Sequence, residues 1–411
     1  LASLKRRVVV ESHHGLGLAV SKRHGRGISP PRWSPDGSWI AYVDVVRDEP
    51  PYPGSSAAII RQLPFQFDGR GYIHDGHAQV HIVHVAEGSV RRLTSDRNDH
   101  WDVCWRPDGR AICFGVDEVL GDTRATVLRE MAFDARAGSV GASTRLTDGS
   151  CTVNLPSYSP DGRSIAFLGI GPFAPGAMDV RGRNTSIWRV DPEAPAKLSQ
   201  LSDAQAFDVD DRRMRPLIVD ERGTITATIR SRGAVQLGEM SVDGWRPLLG
   251  GSHQVMSYAR AGAVMTAVVV DAEHAGELFR VIRGATTPLT QLRATYADVK
   301  RHAMVDVEAR TAQGYGVHGW IVRPDSKGPH PLLLLIHGGP DTQWGFALNE
   351  EAQAYVSAGY AVLLPNPRGS AGYGEAHARV LNGQVGIVDV EDVLALLDDV
   401  LERFDLDEQR V

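Results

Sequence analysis

The apolar positions of the C-terminal part of the chain follow two different periods. Residues 332–336 form an unbroken apolar run, Leu-Leu-Leu-Leu-Ile, which is typical of a parallel strand buried on both faces. Apolar residues then recur at helical spacing over 348–356, and Gly359 stands where such a helix would end. A second apolar run over 360–364 predicts another strand, and a helical pattern over 393–404 predicts another helix. This order predicts an α/β domain with a mostly parallel sheet.

The first 295 residues show short apolar runs separated by turn signals, which predicts an all-β repeat array. Pro-Asp-Gly precedes an apolar run at residues 35–37, 107–109 and 160–162. Proline presets φ and glycine accepts a positive φ, so each triplet predicts a hairpin. Five leucines begin further turn-like marks: Leu93, Leu146, Leu201, Leu248 and Leu289. Their spacing is close to the roughly 40–50 residues of a four-stranded propeller blade, so five blades can be counted.

The apolar run over 332–336 ends in His337, Gly338, Gly339 and Pro340, and this corner is the main chemical candidate of the chain. Glycine lets the backbone approach a substrate because no Cβ stands in the way. In α/β-hydrolases a glycine-rich turn after a strand supplies a backbone N–H to the oxyanion hole. A strand that ends in Gly-Gly-Pro can also be a plain turn, so the corner alone leaves both interpretations open.

A second motif, after the next strand, is more specific. Residues 366–374 read Asn-Pro-Arg-Gly-Ser-Ala-Gly-Tyr-Gly. Following His-Gly-Gly-Pro in this order and at about this separation, the motif resembles the prolyl oligopeptidase family of serine peptidases, in particular its acylaminoacyl-peptidase and dipeptidyl-peptidase branches. The resemblance spans roughly residues 28–411 and includes a Phe-Asp-Gly loop at 67–69. Family members usually show Gly-x-Trp-Gly-Gly-x-Asp where residues 383–389 read Gly-Gln-Val-Gly-Ile-Val-Asp, a departure that concerns local packing more than chemistry.

The resemblance implies a fold class: an all-β propeller followed by an incomplete α/β-hydrolase domain with a mixed, mostly parallel sheet. The propeller is expected over residues 1–295, truncated at its N-terminus because family members have seven blades. The N-terminal part of the catalytic domain is expected over residues 296–411. In the family's sheet, the strand over 332–336 lies between the strand over 360–364 and a later strand that delivers the nucleophile. The chain is therefore expected to end before the Ser, Asp and His of the triad and to be inactive by itself.

The resemblance also implies roles for individual residues. The backbone N–H of Gly339 would stabilise the oxyanion, with Gly338 and His337 in the same loop. His337 stands where some branches carry a tyrosine whose hydroxyl helps form the oxyanion hole, and a packed, hydrogen-bonded imidazole is the alternative. Arg368 is expected to be a structural cation that satisfies carbonyls or a helix carboxylate.

The implied activity is that of a serine peptidase that hydrolyses short peptides or peptide N-termini by acyl transfer. Two other functions stay open on sequence grounds. One is a non-catalytic propeller protein that binds a partner, and the other is an esterase of the same fold. The expected partner is a peptide substrate, and the oligomeric state is open.

Composition and charge bear on the class of protein to which this chain belongs. The chain has 411 residues, of which 42% are hydrophobic and 23% charged, as expected for a large globular protein. Its net charge of −6 argues against a nucleic-acid partner. No stretch approaches the ~20 apolar residues that a membrane span requires. No signal peptide is visible, so a cytoplasmic location is expected, although the chain opens on Leu1 without an initiator methionine and a missing N-terminus would hide such a signal.

Two further clusters have plainer explanations than chemistry. The histidines between 74 and 84 look like metal ligands, but the segment alternates as a strand, which sends His81 and His84 to opposite faces. Cys104 and Cys113 flank a Pro-Asp-Gly turn and are expected to face each other across a hairpin as two small buried residues rather than as a disulfide. No metal or cofactor is therefore expected.

Overall fold

The computed structural model describes residues 30–47, 66–67, 71–72, 76–120, 123–173, 179–195, 197–209, 217–282, 284–295, 297–339 and 341–411. His74, Pro340 and most of the Phe-Asp-Gly loop lie outside these ranges. Within them, every helix lies after residue 290, and the earlier part of the chain is built from strands and turns.

The strands of the repeat region follow one another with short connections. In chain order they are β1 (Arg32–Trp33), β2 (Trp39–Arg47), β3 (Gln66–Phe67), β4 (Gly71–Tyr72), β5 (Gly76–His84), β6 (Val90–Arg92), β7 (His100–Trp105), β8 (Ala111–Leu120), β9 (Thr123–Asp134), β10 (Ser139–Arg145), β11 (Asn154–Tyr158), β12 (Ile165–Gly169), β13 (Ser186–Val190), β14 (Ser199–Gln200), β15 (Asp208–Val209), β16 (Ile218–Val219), β17 (Ile225–Ser231), β18 (Ala234–Ser241), β19 (Gly244–Leu249), β20 (Gln254–Ala261), β21 (Val264–Val270), β22 (Glu277–Ile282) and β23 (Ala285–Pro288). A short helix, α1 (Leu292–Thr295), closes the region.

These strands form antiparallel sets of the size expected for blades. Among the described strands, three four-stranded sheets have the orders β1-β2-β5-β6, β10-β9-β8-β7 and β11-β12-β13-β14. The later strands share one nine-stranded sheet, whose main path is β15-β17-β18-β20-β21-β22-β23. A parallel contact between Val235 of β18 and Gln254 of β20 joins its two halves. The pair β3 and β4 forms a separate ribbon.

The three Pro-Asp-Gly hairpins are confirmed. Gly37, Gly109 and Gly162 have φ values of 72°, 72° and 71°, a region that favours glycine. The amide of each donates to the carbonyl three residues earlier at 2.9 Å. Each triplet connects two antiparallel strands: β1 to β2, β7 to β8 and β11 to β12. The turn chemistry in the sequence therefore predicts the local backbone correctly.

At three of the five leucines that begin turn-like marks in the sequence, the structure shows why the mark recurs. The hydroxyls of Thr94, Thr147 and Thr290, which follow the marked leucines, accept the N–H of a neighbouring strand at 2.9, 2.9 and 3.1 Å. Each mark therefore lies where an outer strand ends. Leu248 differs, because it lies inside β19 and the connection to β20 begins only after Leu249.

The two sequence clusters lie in the first of two compact units, which consists of Leu1–Asp179, Ile187–Gln200 and Val219–Gly223. Cys104 and Cys113 are direct register partners across the β7–β8 hairpin, and both are free thiols. His81 stacks on Tyr42, whereas His84 contacts Trp39 edge-on. In the described part of the chain, no group of three or more His, Cys, Asp or Glu side chains is arranged to hold a metal ion.

The second compact unit consists of Val180–Ser186, Leu201–Ile218 and Thr224–Val411. It contains a mixed sheet built from β24 (Met304–Arg310), β25 (Gly316–Val322), β26 (Leu332–Leu334) and β27 (Ala361–Asn366). The strand order is β24-β25-β27-β26, in which β26 pairs with β27 in parallel and the other pairs are antiparallel. The unit also holds many strands of the repeat region, so the predicted domain boundary at 295/296 stays a prediction.

Helices cover both faces of this sheet. They are α2 (Glu350–Ser357), α3 (Glu375–Arg379) and α4 (Val388–Arg403). Leu396 of α4 packs in one core with Ile321, whereas Val356 of α2 packs in another core with Trp320. Neighbouring residues of β25 point to opposite faces, so α4 and α2 lie on opposite sides. The predicted order of strand, helix, strand and helix is present. The expected mostly parallel sheet is wrong for the described strands, because two of the three pairs in this sheet are antiparallel.

Local sequence sets the limits of α2. The Asn349 side chain accepts the N–H of Ala352 at 2.9 Å, which caps the first turn. Gly359 has a φ of 100°, the left-handed conformation that commonly follows a helix end. The predicted end of this helix is therefore correct.

The apolar run over 332–336 is only partly buried. Leu332 is 1% exposed, and the Leu335 amide still donates to Leu363 of β27 at 2.9 Å. Ile336 is 57% exposed, so the expectation of burial on both faces is wrong for the end of the run. The reason is that the backbone pairing with β27 ends at Leu335. On the other side of β26, residues 405–410 run alongside, and the Leu332 amide donates to Arg410 at 3.0 Å.

Candidate active site

The corner that follows β26 presents its backbone to solvent. Gly338 and Gly339 are both exposed, and neither amide donates to any residue that the structure describes. A Cβ built on Gly338 would meet no described atom within 4 Å. On Gly339 it would approach the Asp341 nitrogen no closer than 3.6 Å, an ordinary contact. Packing against the described residues therefore does not require glycine here, and the space that a side chain would occupy at these two positions is open.

His337 is a hydrogen-bonded ring that faces this loop. Its Nε2 lies 3.0 Å from the hydroxyl of Ser370, and its Nδ1 lies 2.7 Å from the hydroxyl of Thr342. Ser370 donates its own proton to the carbonyl of Pro367 at 2.6 Å, so it accepts from Nε2–H of His337. The ring also contacts Trp344 edge-on. These contacts favour a positioning role for His337, and its direct part in chemistry stays a prediction.

The Asn-x-Arg-Gly-Ser motif is hydrogen-bonded to the residues that directly follow the glycine corner. Asp341 has a φ of 68°, which is rare for a residue with a side chain, and its amide donates to Gly369 at 3.0 Å. The Thr342 carbonyl accepts the Ala371 amide at 2.8 Å. Asn366 is fully buried and pairs through its amide group with both backbone groups of Trp344, at 2.8 and 3.0 Å. The two motifs recognised in the sequence therefore form one structure.

Arg368 is the structural cation that the sequence predicts. Its guanidinium donates to both oxygens of Asp392 on α4, with a shortest distance of 2.7 Å, and its backbone amide donates to the same carboxylate at 2.7 Å. The face of the Tyr315 ring lies 4.6 Å from the guanidinium carbon. Hydrogen bonding to Asp392 raises the pKa of Arg368, so the side chain remains charged at every relevant pH.

A chain of hydrogen-bonded polar side chains runs from Tyr373 to the exposed carboxylate of Asp306. The Tyr373 hydroxyl accepts from Asn366 at 2.8 Å and lies 2.5 Å from Nδ1 of His318, whose Nε2 lies 3.0 Å from Asp306. The Tyr373 ring stacks on His377. Burial raises the pKa of Tyr373 and lowers that of His377, so both groups are neutral near pH 7. Sequence reasoning missed the two histidines, because neither belongs to a motif or to a period that marks a site.

Comparison with known proteins agrees with this arrangement. The sequence model of the prolyl oligopeptidase family matches residues 344–411, which include the Asn366 motif and α4. Over this C-terminal segment the chain is similar to the prolyl oligopeptidase family. An uncharacterized peptidase of Bacillus subtilis, YuxL, is 25% identical over 92% of this chain and 60% of its own length. Dipeptidyl-peptidase 5 of Porphyromonas gingivalis is 24% identical over 75% of this chain and 45% of its own length.

Several solved structures of peptidases share the fold of this chain. Acylaminoacyl peptidase of Pyrococcus horikoshii has a TM-score of 0.75 at 19% identity, over 94% of this chain and 58% of that one. A puromycin-hydrolyzing peptidase of Mycobacterium tuberculosis has a TM-score of 0.66 at 16% identity, over 93% of this chain and 57% of that one. The chain thus spans about three fifths of the length of several proteins that it matches.

One feature bears on location. Across the ranges that the structure covers, no helix combines the length and the apolar character that crossing a membrane demands. The cytoplasmic location expected from the sequence stays a prediction.

Proposed function

We propose that this chain is part of a serine peptidase in which the backbone N–H of Gly339 is one donor of the oxyanion hole. Residues 1–295 would be a propeller, and residues 296–411 would be the N-terminal part of an α/β-hydrolase domain. The observation that carries the proposal is an exposed amide at the end of a parallel strand, without a hydrogen-bond partner among the described residues and held by the motif of residues 366–374.

The chemistry would be acyl transfer. A serine activated by histidine attacks the scissile carbonyl, and the negative charge that develops on the carbonyl oxygen is stabilised by the Gly339 N–H and by the amide after the serine. A histidine and an aspartate complete the triad, and we assign none of the three to residues of this chain. The Gly338 backbone and the His337 ring would shape the loop that carries the donor.

A peptide is the favoured substrate class. Two of the proteins to which the chain is similar are named a dipeptidyl-peptidase and an acylaminoacyl peptidase. A propeller in front of the catalytic domain would restrict access to short peptides or peptide N-termini. An esterase would use the same oxyanion hole, so the substrate class requires a direct test. A non-catalytic binding protein is disfavoured, because such a protein has no use for a donor amide supported by Gly369, Ser370 and Asn366.

The test uses the protein expressed from its complete coding sequence, with two glycine variants. In Gly339→Ala the new methyl group meets no described atom closer than 3.6 Å, so we expect unchanged stability. We expect kcat/KM on peptide substrates to fall about tenfold or more, because the methyl group crowds the reacting carbonyl. Gly316→Ala is the matched control, since Gly316 lies in the same sheet and also has open space around it.

Wild-type protein should be labelled by a fluorophosphonate and should cleave the amide bond of acyl-peptide or dipeptide substrates. Ester hydrolysis without any cleavage of these amide bonds would assign the esterase instead. A wild-type protein that is neither labelled nor active would refute the proposed function. Equal activity of Gly339→Ala, Gly316→Ala and wild type would remove Gly339 from the site.

A further inference from the structure

Beyond the family motifs, the loop that carries Gly339 touches a buried ion pair from the repeat region. Arg230 of β17 and Asp208 of β15 are register partners, and their side chains are 8% and 3% exposed. Nη2 of Arg230 donates to one carboxylate oxygen of Asp208 at 2.7 Å. All the residues involved belong to the same compact unit.

Each member of this pair also holds one half of the candidate site. Nη1 of Arg230 donates to the carbonyl of Asp341 at 3.2 Å, two residues after Gly339. The second carboxylate oxygen of Asp208 accepts the amide of Gly372 at 3.0 Å. The pair therefore bridges the glycine corner and the motif that supports it.

The carbonyl that Arg230 holds belongs to the residue with the least favourable backbone in the loop. Asp341 has a φ of 68°, a conformation that few residues with a Cβ adopt, so hydrogen bonds from its surroundings help to maintain it. Its amide is held by Gly369 and its carbonyl by Arg230, so both of its peptide groups are restrained. The restraint at Asp341 therefore acts on the loop that carries Gly339, two residues earlier in the chain.

The strand that carries Arg230 is itself anchored against the same loop. At the β17–β18 turn, the Gly233 amide donates to the Gln343 side chain and its carbonyl accepts the Phe346 amide, both at 3.0 Å. A Cβ on Gly345 would lie 2.0 Å from the Gly233 carbonyl oxygen, so the two backbones are in direct contact. This anchorage limits the movement of Arg230 relative to the loop.

We propose that Arg230, oriented by Asp208, is a positioning residue that holds the oxyanion loop in its reactive conformation. The repeat region would then contribute directly to the geometry of the reaction. This inference rests on the proposed function for its catalytic consequence, but the restraint of the loop can be measured independently.

The experiment compares wild type, Arg230→Met, Arg230→Lys and a control in the protein expressed from its complete coding sequence. The control is Arg246→Met, which removes an exposed ion pair with Glu239 in the same nine-stranded sheet. Hydrogen exchange at the Asp341 amide reports the restraint of the loop. We expect exchange about tenfold faster in Arg230→Met, because a hydrogen bond from a charged donor is lost. The exchange rates of Arg246→Met should match wild type. In Arg230→Met the restraint of the loop is the acceleration at Asp341 relative to β17 and β18, which also lose some protection because the Asp208 carboxylate stays buried without its partner.

Steady-state kinetics then separate positioning from a general structural effect. We expect kcat of Arg230→Met to fall about tenfold with KM within about twofold of wild type, because the loop acts on the transition state. Arg230→Lys should be intermediate, since one ammonium group cannot match both directions of the guanidinium fork.

Unchanged exchange at Asp341 together with unchanged kcat in Arg230→Met would overturn the inference. If Arg230→Met loses protection throughout β17 and β18 to the same extent as at Asp341, Asp208→Asn replaces it, because this variant keeps an acceptor for Gly372 and weakens only the hold on Arg230. Hydrogen exchange at Asp341 and kcat of Asp208→Asn then decide whether the inference stands. A wild-type protein without activity or fluorophosphonate labelling would refute the proposed function, while exchange at Asp341 would still decide whether Arg230 restrains the loop.

Discussion

Removing the Asp392 carboxylate should release the end of β27 from α4. Asp392 has no exposed surface, and its two oxygens accept the backbone amide of Arg368 as well as the guanidinium. In Asp392→Ala all these hydrogen bonds are lost, and a cation remains inside the protein. Arg368 would keep the Val388 carbonyl at 3.1 Å, Glu391 at 3.3 Å and the Tyr315 ring.

The size of the expected loss in unfolding free energy follows from the partners that Arg368 loses and those that it keeps. Removing one partner of a buried ion pair costs about 3–5 kcal/mol, because the remaining charge stays without water. The partners that Arg368 keeps place the expected loss of unfolding free energy near the lower end, at about 3 kcal/mol. This loss corresponds to roughly hundredfold faster hydrogen exchange of α4 amides that open with this part of the unit. Asp392→Asn keeps the shape and an acceptor, so we expect a smaller loss of about 1.5–3 kcal/mol.

Hydrogen exchange of α4 is the suitable assay, because a chain with two compact units need not unfold in one step. The control is Asp399→Ala, which removes an exposed pair with Arg403 on the same helix and should cost less than about 0.5 kcal/mol. The double variant Arg368→Met with Asp392→Leu should recover most of the loss, because no unpaired charge remains. Equal exchange rates in Asp392→Ala and Asp399→Ala would refute the reasoning.

Two further predictions concern other parts of the chain. Gly233→Ala should lower the free energy of unfolding by more than about 2 kcal/mol, because its φ is 84° and the new Cβ would lie 2.4 Å from the Trp320 ring. Gly244→Ala, at a φ of 103° with nothing within 4 Å, should cost only about 1–2 kcal/mol. Both losses are measured by hydrogen exchange of β18, and equal losses would contradict the steric argument. The Ser34 hydroxyl is the largest cause that lowers the pKa of Asp36 from 3.8 to about 2, so Ser34→Ala should raise that pKa in an NMR titration, and an unchanged value would speak against this assignment. Because the folded pKa lies below the unfolded one, the contribution of Asp36 to stability is present above about pH 4 and is lost as the pH falls toward 2.

Some features of this protein follow from short stretches of sequence. The turns at Gly37, Gly109 and Gly162 and the helix end at Gly359 depend on the φ that glycine allows, and the structure has each of them. The helical period over 393–404 likewise predicts α4, which occupies Val388–Arg403. Such features are encoded within a few neighbouring residues, so no knowledge of the rest of the fold is needed.

The candidate site can be predicted only in part from short stretches of sequence. The glycine corner and the Asn-x-Arg-Gly-Ser motif stand out in the sequence, but their mutual hydrogen bonds appear only once β26 and β27 pair in parallel. The exposure of Ile336 could not be predicted, because an apolar run does not show where its sheet partner ends.

The sequence by itself determined the repeat turns, the alternation of strands and helices after residue 332, and the two motifs that indicate the family. The tertiary structure alone decided that Arg368 pairs with Asp392, and that Arg230 and Asp208 reach the loop of Gly339. The physical reason is separation along the chain. Turns and helical periods arise from contacts within about four residues, whereas Arg230 lies 111 residues from Asp341 and meets it only when both segments have folded.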